Sequence, residues 1–414
     1  MEIKAVILAA GKGTRMKSAM PKVLHEIMGK ALLGYVLDAA GALVSESFVI
    51  VGYQAQQVEA YVKGTAHAVF QSPQLGTGDA VSKVCPFLKD YNGLVLILCG
   101  DTPLITAQTL KKFAAFHKEQ GADLTVMSAV LDDPAGYGRI VRENGKLKAI
   151  VEEKDASPEI KAIKEVNAGI YLLDWAKIKL AFAHLTSNNA QGEYYLTYLV
   201  DWAKNKAAFV LENNEEMFGI NSRAHLAQAA KIMNHRTLEK LMDNGVTIVD
   251  PDSAWISQDT EIGEDTVIYP STYIEGENKI GKNCKIGPFA HLRGGVGIAD
   301  NVRIGNFVEV KNSKIGSDTN AGHLSYIGDS EIGSHVNIGA GTITANYNPI
   351  THVKSRTVLK DHVKTGSNSV LVAPVTVEQG ANIGAGSVIT KDIPARALAL
   401  TRAALKIVEN WVKG

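Results

Sequence analysis

The sequence predicts two unlike halves: an α/β domain with a Rossmann-like, mostly parallel sheet, and then a left-handed parallel β-helix of hexapeptide repeats. Two observations lead to this prediction. Apolar runs alternate with stretches of helical spacing from residue 4 to about residue 130. From residue 256 onward, aliphatic residues recur every six positions, a period that is absent before about residue 250. The change of period divides the chain.

In the N-terminal half, residues 4–10, 48–51 and 94–99 have the pattern of buried strands, and residues 32–42 have the spacing of a helix. Strands that alternate with helices predict a parallel sheet, in which ligands bind at the carboxyl ends of the strands. Two unusual loops lie at such ends, residues 10–16 and residues 100–103.

The first loop reads AGKGTRM. Gly11 and Gly13 begin a G-x-G pattern, but Met16 breaks the dinucleotide fingerprint, and no G-K-[ST] follows at the P-loop offset. Glycines let backbone N–H groups approach an anion closely, and Arg15 and Lys22 add charge for a polyphosphate. A phosphate-binding loop is therefore favoured over the alternative, a tight turn with solvated charges.

The second loop follows an apolar strand and places Asp101 at its end. A carboxylate there suits Mg²⁺, which prefers one or two carboxylates together with phosphate oxygens. The alternative is that Asp101 caps the next helix, an interpretation that Pro103 keeps open.

Residues 222–244 have the composition of one helix, capped by Ser222 and ended by Gly245. Its length would be roughly 34 Å at 1.5 Å per residue. Since it is not rich in Gly and Ser, we expect a strut between the halves and not a flexible linker.

The aliphatic ladder of the C-terminal half comprises ten positions six residues apart, which are Ile256, Ile262, Ile268, Ile274, Ile280, Ile286, Leu292, Ile298, Ile304 and Val310. The period then slips by one residue and resumes at Ile315, and a second ladder runs from Val353 through Leu359 to Ile389. Each repeat predicts a short strand with one inward side chain, three repeats close a triangular coil, and the coils stack to bury a core.

A β-helix does not by itself define a function. The polar residues that interrupt the ladder are more informative: Lys311, His323, and the pair Asn346 and Tyr347 in a loop. Considered alone, a His on such a surface is more often an ordinary exposed residue.

Composition excludes several classes of protein. Lys plus Arg and Asp plus Glu number 43 each, so net charge does not indicate nucleic acid or a membrane surface as a partner. Cys85, Cys99 and Cys284 have neither metal-ligand spacing nor a disulfide framework, which favours a reducing, cytoplasmic location. With no run of 18 apolar residues and no signal-peptide pattern at the N-terminus, we expect no membrane insertion.

Several motifs resemble those of the nucleotidyltransferases that make UDP-sugars, namely LAAGKGTRM, QLGTG, CGDTPL, GYGRI, VNAGIY and NAQGEYYLT. Together with the hexapeptide half, the chain resembles the GlmU family of bifunctional uridyltransferases and acetyltransferases. The resemblance implies a uridyltransferase domain over 1–221, a linker helix over 222–245, an acetyltransferase β-helix over 246–402 and a helical tail over 403–414.

The resemblance also implies the activity. An acetyl group passes from acetyl-CoA to glucosamine-1-phosphate, and UTP then uridylylates the N-acetylglucosamine-1-phosphate with Mg²⁺, releasing pyrophosphate. The implied uridyl-site residues are Leu8, Ala9, Ala10, Gly11, Arg15, Lys22, Gln71, Gly76, Thr77, Cys99, Gly100, Asp101, Gly138, Glu152, Asn167 and Asn221. Among them Arg15 and Lys22 would neutralise the triphosphate, and Asp101 with Asn221 would bind Mg²⁺. Gly138, Glu152 and Asn167 would hold the sugar.

In the second half, the resemblance implies that His323 is the general base, since the substrate amine must lose a proton before it attacks a thioester. The other implied acetyl-site residues are Arg293, Lys311, Tyr326, Asn337, Ala340, Asn346, Tyr347, Ser367, Ala385 and Arg402. Enzymes of this kind are homotrimers with shared sites, so we expect a trimer.

The chain departs from the family pattern in four places. Asp79 stands where a His is expected, and Gly-Gly follows Arg293. The stretch between Asn221 and Arg293 is shorter than expected by one or two coils, and the loop after Tyr347 is about two residues longer. Two alternatives remain: a monofunctional sugar-phosphate nucleotidyltransferase with a structural β-helix, and a non-enzymatic scaffold or exchange-factor subunit.

Overall fold

The computed structural model describes residues 1–401, 403–409, 411 and 412. The chain forms two compact units, Met1–Ala230 and Lys231–Gly414. The division falls inside a long helix, Arg223–Asp243, which is present where the sequence predicts one. The Ser222 hydroxyl accepts a hydrogen bond from the backbone N–H of His225 at 3.2 Å, so the predicted cap is also confirmed.

The strands of the first unit are β1 (Ile3–Leu8), β2 (Glu26–Ile27), β3 (Lys30–Ala31), β4 (Glu46–Val51), β5 (His67–Phe70), β6 (Leu94–Cys99), β7 (Leu124–Val130), β8 (Arg139–Glu143), β9 (Lys146–Val151), β10 (Glu165–Asp174) and β11 (Lys206–Val210). The helices are α1 (Leu32–Gly41), α2 (Ala55–Val62), α3 (Thr77–Ser82), α4 (Ala107–Glu119), α5 (Pro158–Lys161), α6 (Trp175–Ile178), α7 (Leu199–Trp202) and α8 (Arg223–Asp243). Short 3₁₀ helices occupy Thr14–Met16, Lys22–Leu24, Lys179–His184, Leu196–Tyr198 and Asn214–Met217.

One twisted sheet with the strand order β11-β7-β10-β6-β1-β4-β5 organises this unit. Its pairs are parallel except around β10, which runs antiparallel to β6, β7 and β8, and the β8–β9 hairpin. Adjacent residues of β1 face opposite sides of the sheet and lie in different apolar cores: Ile7 belongs to one cluster and Val6 to the other. Both faces of the sheet are therefore covered, and the predicted α/β architecture is confirmed.

The second unit is built from very short strands, which are β12 (Thr247–Ile248), β13 (Trp255–Ile256), β14 (Thr260–Ile262), β15 (Val267–Ile268), β16 (Tyr273–Glu275), β17 (Asn278–Ile280), β18 (Lys285–Ile286), β19 (His291–Arg293), β20 (Val296–Ile298), β21 (Arg303–Asn306), β22 (Glu309–Lys311), β23 (Lys314–Ile315), β24 (Asn320–His323), β25 (Tyr326–Gly328), β26 (Ser330–Ile332), β27 (Asn337–Ile338), β28 (Ile343–Ala345), β29 (Thr357–Leu359), β30 (Lys364–Thr365), β31 (Val370–Val372), β32 (Val375–Val377), β33 (Asn382–Ile383), β34 (Val388–Ile389) and β35 (Leu398–Ala399). Every third strand joins the same parallel sheet until β34, and three sheets of nine, eight and seven strands result. We call them the first, second and third faces, which begin with β12, β13 and β14 respectively. Three stacked parallel faces form the predicted left-handed β-helix.

The aliphatic ladder fills the interior of this β-helix. All ten of its members belong to one apolar core, nine of them buried and Ile262 partly so. The slip in the period is also confirmed. Ile286 pairs with Ile304, another member of the ladder, whereas Ile304 pairs with Ala321, one position earlier than an unbroken period would place its partner. The coil between Ile304 and Ala321 is thus one residue shorter, and it still places one side chain in the interior.

The second ladder begins later than predicted. Val353 is 55% exposed and lies in a loop that leaves the coil, closed by an antiparallel bridge between Tyr347 and Lys354. The ladder resumes beyond this loop at Leu359, which pairs with Ile332 on the third face. Val353 matches the six-residue period by coincidence, because it lies in a hairpin inserted between coils. Periodicity alone does not distinguish a residue of such a hairpin from the inward residue of a coil strand.

The C-terminal tail was predicted to be helical. Residues 403–409, 411 and 412 contain no helix, and they are exposed. Isolated short helices are marginal in water, so an apolar stripe alone does not stabilise one here. Among the described residues, no helix combines the length and apolarity needed to cross a membrane.

Candidate active sites

The two unusual loops of the first unit meet at one edge of the sheet. β1 and β6 are parallel neighbours with Leu8 opposite Cys99, and the N–H of Gly100 donates to the Leu8 carbonyl oxygen at 2.9 Å. A cavity of about 300 Å³ lies there. It is lined by Leu8, Ala9, Ala10, Gly11, Lys22, Val23, Gln71, Gln74, Gly76, Thr77, Ala80, Cys99, Asp101 and Glu193. Most of the predicted nucleotide-binding residues are thus brought together.

Lys22 is the central cation of this cavity. Its ammonium contacts the Asp101 carboxylate and donates to Asn221 Oδ1 at 3.0 Å, and both Lys22 and Asp101 are mostly buried. The N–H of Ile220 donates to the Asp101 backbone oxygen at 2.9 Å, which brings the distant segment containing Asn221 to the cavity. Lys22 is therefore not a solvated loop charge.

The same geometry tests the predicted magnesium site. The Lys22 ammonium already bridges a carboxylate and an amide oxygen, so Asp101 and Asn221 can converge on one cation. Hard oxygen donors, completed by phosphate oxygens, are what Mg²⁺ prefers, and the residues fit it. The competing helix-cap interpretation of Asp101 is wrong, because Thr106 caps α4 by accepting from the Thr109 N–H at 3.1 Å.

The glycine-rich loop is shaped for close approach. Gly13 has φ +58°, and a Cβ there would lie 2.7 Å from Lys22 Cβ, so a side chain would displace the lysine. A Cβ at Gly11 would meet nothing within 4 Å, which leaves its backbone open. Arg15 is exposed in the neighbouring turn and does not line the cavity.

Gln71 and Thr77 occupy the opposite part of the cavity. Gln71 is only 3% exposed, and its Nε2 donates to the Gly76 carbonyl oxygen at 3.1 Å and to the Asp79 carboxylate at 2.8 Å. Thr77 Oγ1 accepts from the Leu196 N–H at 3.1 Å, which leaves the hydroxyl hydrogen free to donate. Gln74, which the sequence did not single out, donates to the Ala10 carbonyl oxygen at 2.9 Å and lines the cavity.

The three predicted sugar-binding residues form a second group. The Asn167 N–H donates to the Gly138 carbonyl oxygen at 2.8 Å, and a Cβ at Gly138 would lie 3.3 Å from Glu152 Oε2. Burial raises the pKa of the Glu152 carboxyl, and Asp155 and Glu193 raise it further. This group does not line the 300 Å³ cavity.

Cys99 links the two groups. Its Sγ lies 3.6 Å from the Gly169 carbonyl oxygen, on the strand that carries Asn167. Burial raises the pKa of the Cys99 thiol to about 12, so it is a packing group and not a nucleophile.

In the β-helix, four predicted acetyl-site residues stack in one column. The strand register places His323, Ala340, Ser367 and Ala385 three positions beyond Asn320, Asn337, Lys364 and Asn382, which pair in succession on the first face. Asn306 pairs directly with His323 and begins the column. At about 4.8 Å per coil the column extends for roughly 19 Å.

Asn306 contacts the predicted base and was not singled out from the sequence. The His323 Nδ1 lies 3.1 Å from Asn306 Oδ1. With the amide oxygen as the acceptor, Nδ1 carries the hydrogen, and the exposed Nε2 is the ring nitrogen that can accept a proton. Counting back one coil from His323 in the sequence identifies this partner.

The predicted cationic residues lie on the second face. Arg293 Nη1 donates to Glu309 at 2.9 Å, its Nε lies 3.5 Å from Glu275, and the hydrogen bond to Glu309 raises its pKa. Lys311 pairs in register with Gly328 one coil further on. Arg293 is therefore a cation shared with two carboxylates.

Asn346 and Tyr347 lie where the chain enters the inserted loop. Asn346 is buried, and its amide contacts Asp329, which also accepts from Asn312. The Tyr347 hydroxyl lies 2.7 Å from His352 Nδ1. Tyr326 begins β25 and Asn337 begins β27, whereas Arg402 lies outside the described residues.

Comparison with known proteins supports the two-domain interpretation. The model of the MobA-like NTP transferase domain matches residues 5–157, and that of the bacterial transferase hexapeptide (six repeats) matches residues 279–312. Fold and sites thus define a nucleotidyltransferase domain followed by a hexapeptide-repeat transferase domain.

Full-length relatives give the family. The chain is 46% identical to the bifunctional protein GlmU of Fervidobacterium nodosum, over 99% of this chain and 97% of the relative. It is 45% identical to that of Caldanaerobacter subterraneus, over 100% and 98%, and 45% identical to that of a Geobacillus strain, over 99% and 97%. The chain belongs to the GlmU family of bifunctional proteins.

The alignments also bear on length. They cover 444 to 450 positions, at least 30 more than the 414 residues of this chain, so relatives contain segments that this chain lacks. That the missing coils lie between Asn221 and Arg293 stays a prediction.

Proposed function

We propose that this protein makes UDP-N-acetylglucosamine by two reactions at two separate sites. The β-helix transfers an acetyl group from acetyl-CoA to glucosamine-1-phosphate, and the α/β domain transfers UMP from UTP to N-acetylglucosamine-1-phosphate. Membership of the GlmU family over the whole chain carries this proposal. Two distinct groups of polar residues, around Lys22 and around His323, support it over a monofunctional enzyme.

At the uridyl site, Lys22 neutralises the triphosphate, and Arg15 adds charge from the exposed turn. Asp101 and Asn221 would hold Mg²⁺, which supplies charge stabilisation on the phosphates when bound. A phosphate oxygen of the sugar phosphate attacks the α-phosphorus of UTP in line, the bond to the β-phosphate breaks, and pyrophosphate leaves. The enzyme's contribution is mostly positioning and charge stabilisation.

The sugar phosphate is held by the second group of this domain. Asn167 Oδ1 is committed to the Gly169 N–H at 2.9 Å and its Nδ2 to the Tyr171 hydroxyl at 2.7 Å, so the amide is held in one orientation. Glu152 and the backbone of Gly138 lie beside it and offer acceptors for sugar hydroxyls.

At the acetyl site, His323 Nε2 removes a proton from the ammonium of glucosamine-1-phosphate. The free amine attacks the thioester carbonyl carbon, the C–S bond breaks, and CoA leaves with its proton restored. Arg293 and Lys311 bind the phosphate. Ala340, Ser367 and Ala385 continue the His323 column, and their small side chains leave a surface along which acetyl-CoA can lie. Asn337, Tyr326, Asn346, Tyr347 and Arg402 complete the proposed site.

We further propose a homotrimer in the cytoplasm. All three cysteines are free thiols, which fits a reducing compartment. Exposed apolar residues of the β-helix, including Phe289, Phe307 and Leu324 at 51%, 54% and 59%, favour burial against further copies of the chain. Light scattering that gave a monomer mass would refute the trimer.

One incubation tests the central proposal. Purified protein receives glucosamine-1-phosphate, acetyl-CoA, UTP and Mg²⁺, and products are read by mass spectrometry. UDP-N-acetylglucosamine with CoA and pyrophosphate establishes both activities. If no CoA is released while added N-acetylglucosamine-1-phosphate is still uridylylated, the β-helix is only structural.

A further inference from the structure

We propose that Asp79 is a positioning residue that turns the Gln71 amide so that its oxygen faces the nucleotide cavity and selects a pyrimidine base with an N3–H. This inference rests on the proposed uridyl-transfer function of the same site. Asp79 stands where the family pattern predicts a His.

The amide orientation follows from the partners of Gln71. Its Nε2 faces the Gly76 carbonyl oxygen at 3.1 Å and the Asp79 carboxylate at 2.8 Å. Neither partner can donate, so the nitrogen and not the oxygen of the amide must face them. Both hydrogens of Nε2 are then used, and Oε1 remains as the group that Gln71 can present to a ligand.

The Asp79 carboxylate is itself held in place. Its Oδ1 lies 2.7 Å from Lys83 Nζ one helical turn further on, while Oδ2 accepts from Gln71. The Asp79 side chain is 11% exposed, so this bridge is largely shielded from water. A His at this position could donate or accept, whereas the carboxylate only accepts and thus excludes the reversed amide.

Gln71 lies at the end of the cavity where a base belongs. It directly follows β5, whereas Asp101 follows β6, and the sheet order β6-β1-β4-β5 separates these ends by three strand spacings. That is roughly 14 Å at about 4.8 Å per strand. A nucleotide with its phosphates at Lys22 and Asp101 therefore extends its base toward Gln71.

The exposed acceptor discriminates between bases. Uracil carries a hydrogen on N3 and can donate it to Oε1, whereas N3 of cytosine is an acceptor and would face another acceptor. A site built to hydrogen-bond a substrate N–H rejects an analogue that lacks it, because the buried polar group is left unpaired.

The test compares UTP with CTP in the forward uridylyl-transfer assay for wild type, Asp79→Asn and Asp79→Ala. An Asn can donate to Oε1 and an Ala removes one of the two acceptors, so in both variants only the Gly76 carbonyl oxygen still opposes the reversed Gln71 amide. We expect the ratio of kcat/KM for UTP to kcat/KM for CTP to fall at least about fivefold, the factor that one hydrogen bond provides. KM for UTP should change more than kcat, since the reacting phosphates lie at the opposite end of the cavity from Gln71.

Lys83→Gln is the matched control: it removes a charge from the same helix face, but a Gln amide can still donate to Asp79 Oδ1 and the Asp79 acceptor for Gln71 is kept, so its ratio should stay near that of wild type. Folded Asp79 variants with the wild-type ratio would overturn the inference, as would an equal fall in Lys83→Gln. Thermal unfolding verifies folding. If the wild-type protein does not turn over UTP, the proposed function fails. Calorimetric binding of UTP and CTP to the same proteins then still tests whether Asp79 sets the orientation of the Gln71 amide.

Discussion

Placing a carboxylate beside His323 should shift the pH dependence of acetyl transfer without touching the substrate. Asn306 Oδ1 lies 3.1 Å from His323 Nδ1, so Asn306→Asp replaces a neutral acceptor by a charged one of the same shape. The imidazolium is stabilised and the free base is held in the same tautomer.

The size of the effect follows from the distance. His323 is exposed, so the dielectric constant of water applies, and two unit charges 3.1 Å apart interact by about 1.3 kcal/mol. That energy corresponds to about one pH unit. Because the base must be unprotonated to act, the acid limb of kcat/KM against pH should move up by about one unit, and activity at low pH should fall about tenfold.

The assay follows CoA release with a thiol reagent between pH 5.5 and 9. Asn306→Ala serves as the uncharged comparison and should lower the rate without moving the limb as far. Asn382→Asp adds the same charge on the same face away from His323 and should leave the profile in place. An unmoved acid limb in Asn306→Asp, with uridyl transfer intact, would refute His323 as the base held by Asn306.

Four further measurements address both domains. Asp101→Ala should lower uridyl transfer at least about 10²-fold because Lys22 loses its carboxylate partner, with acetyl transfer unchanged; retained UTP turnover would contradict the site. His323→Ala should do the reverse, costing at least about 10²-fold in CoA release, and a near-normal rate would count against the base. Burial lowers the pKa of His117 to about 4, so stability present above pH 6.5 is lost as pH falls toward 4; His117→Asn should remove about 2 kcal/mol of the difference in urea-unfolding free energy between pH 7 and pH 5, and an unchanged difference would contradict this. Ile304→Ala, in the core, should cost about 2–5 kcal/mol in the same assay. The exposed Ile350→Ala should cost less than about 0.5, and equal costs would be inconsistent with the ladder as the core.

Periodic features were predictable because they depend on local spacing. The ten-position ladder predicted the β-helix interior, and the one-residue slip appeared in the register between Ile304 and Ala321. Where spacing coincided with an inserted hairpin, as at Val353, the same rule failed. The described residues of the tail, 403–409, 411 and 412, contain no helix, since amphipathic spacing over a few residues does not stabilise a helix without a packing partner.

The residues of the candidate uridyl site were recognised from motifs, but their arrangement was not. Nothing in the order of the chain shows that Lys22 contacts Asp101 and Asn221, which lie 79 and 199 residues away. Asp79 was noticed only as a departure from the family pattern; its hydrogen bond to Gln71 emerges once α3 folds against the end of β5.

The sequence by itself determined the fold class of both halves and the family, because hydrophobic period and motif identity are properties of neighbouring residues. Only the tertiary structure decided which polar groups share a partner: the Lys22 bridge, the Asn306 contact that sets the His323 tautomer, and the Asp79 carboxylate that orients Gln71. Hydrogen bonds depend on distances of about 3 Å and on direction, and strands distant along the chain acquire both only when the sheet and the coils have formed.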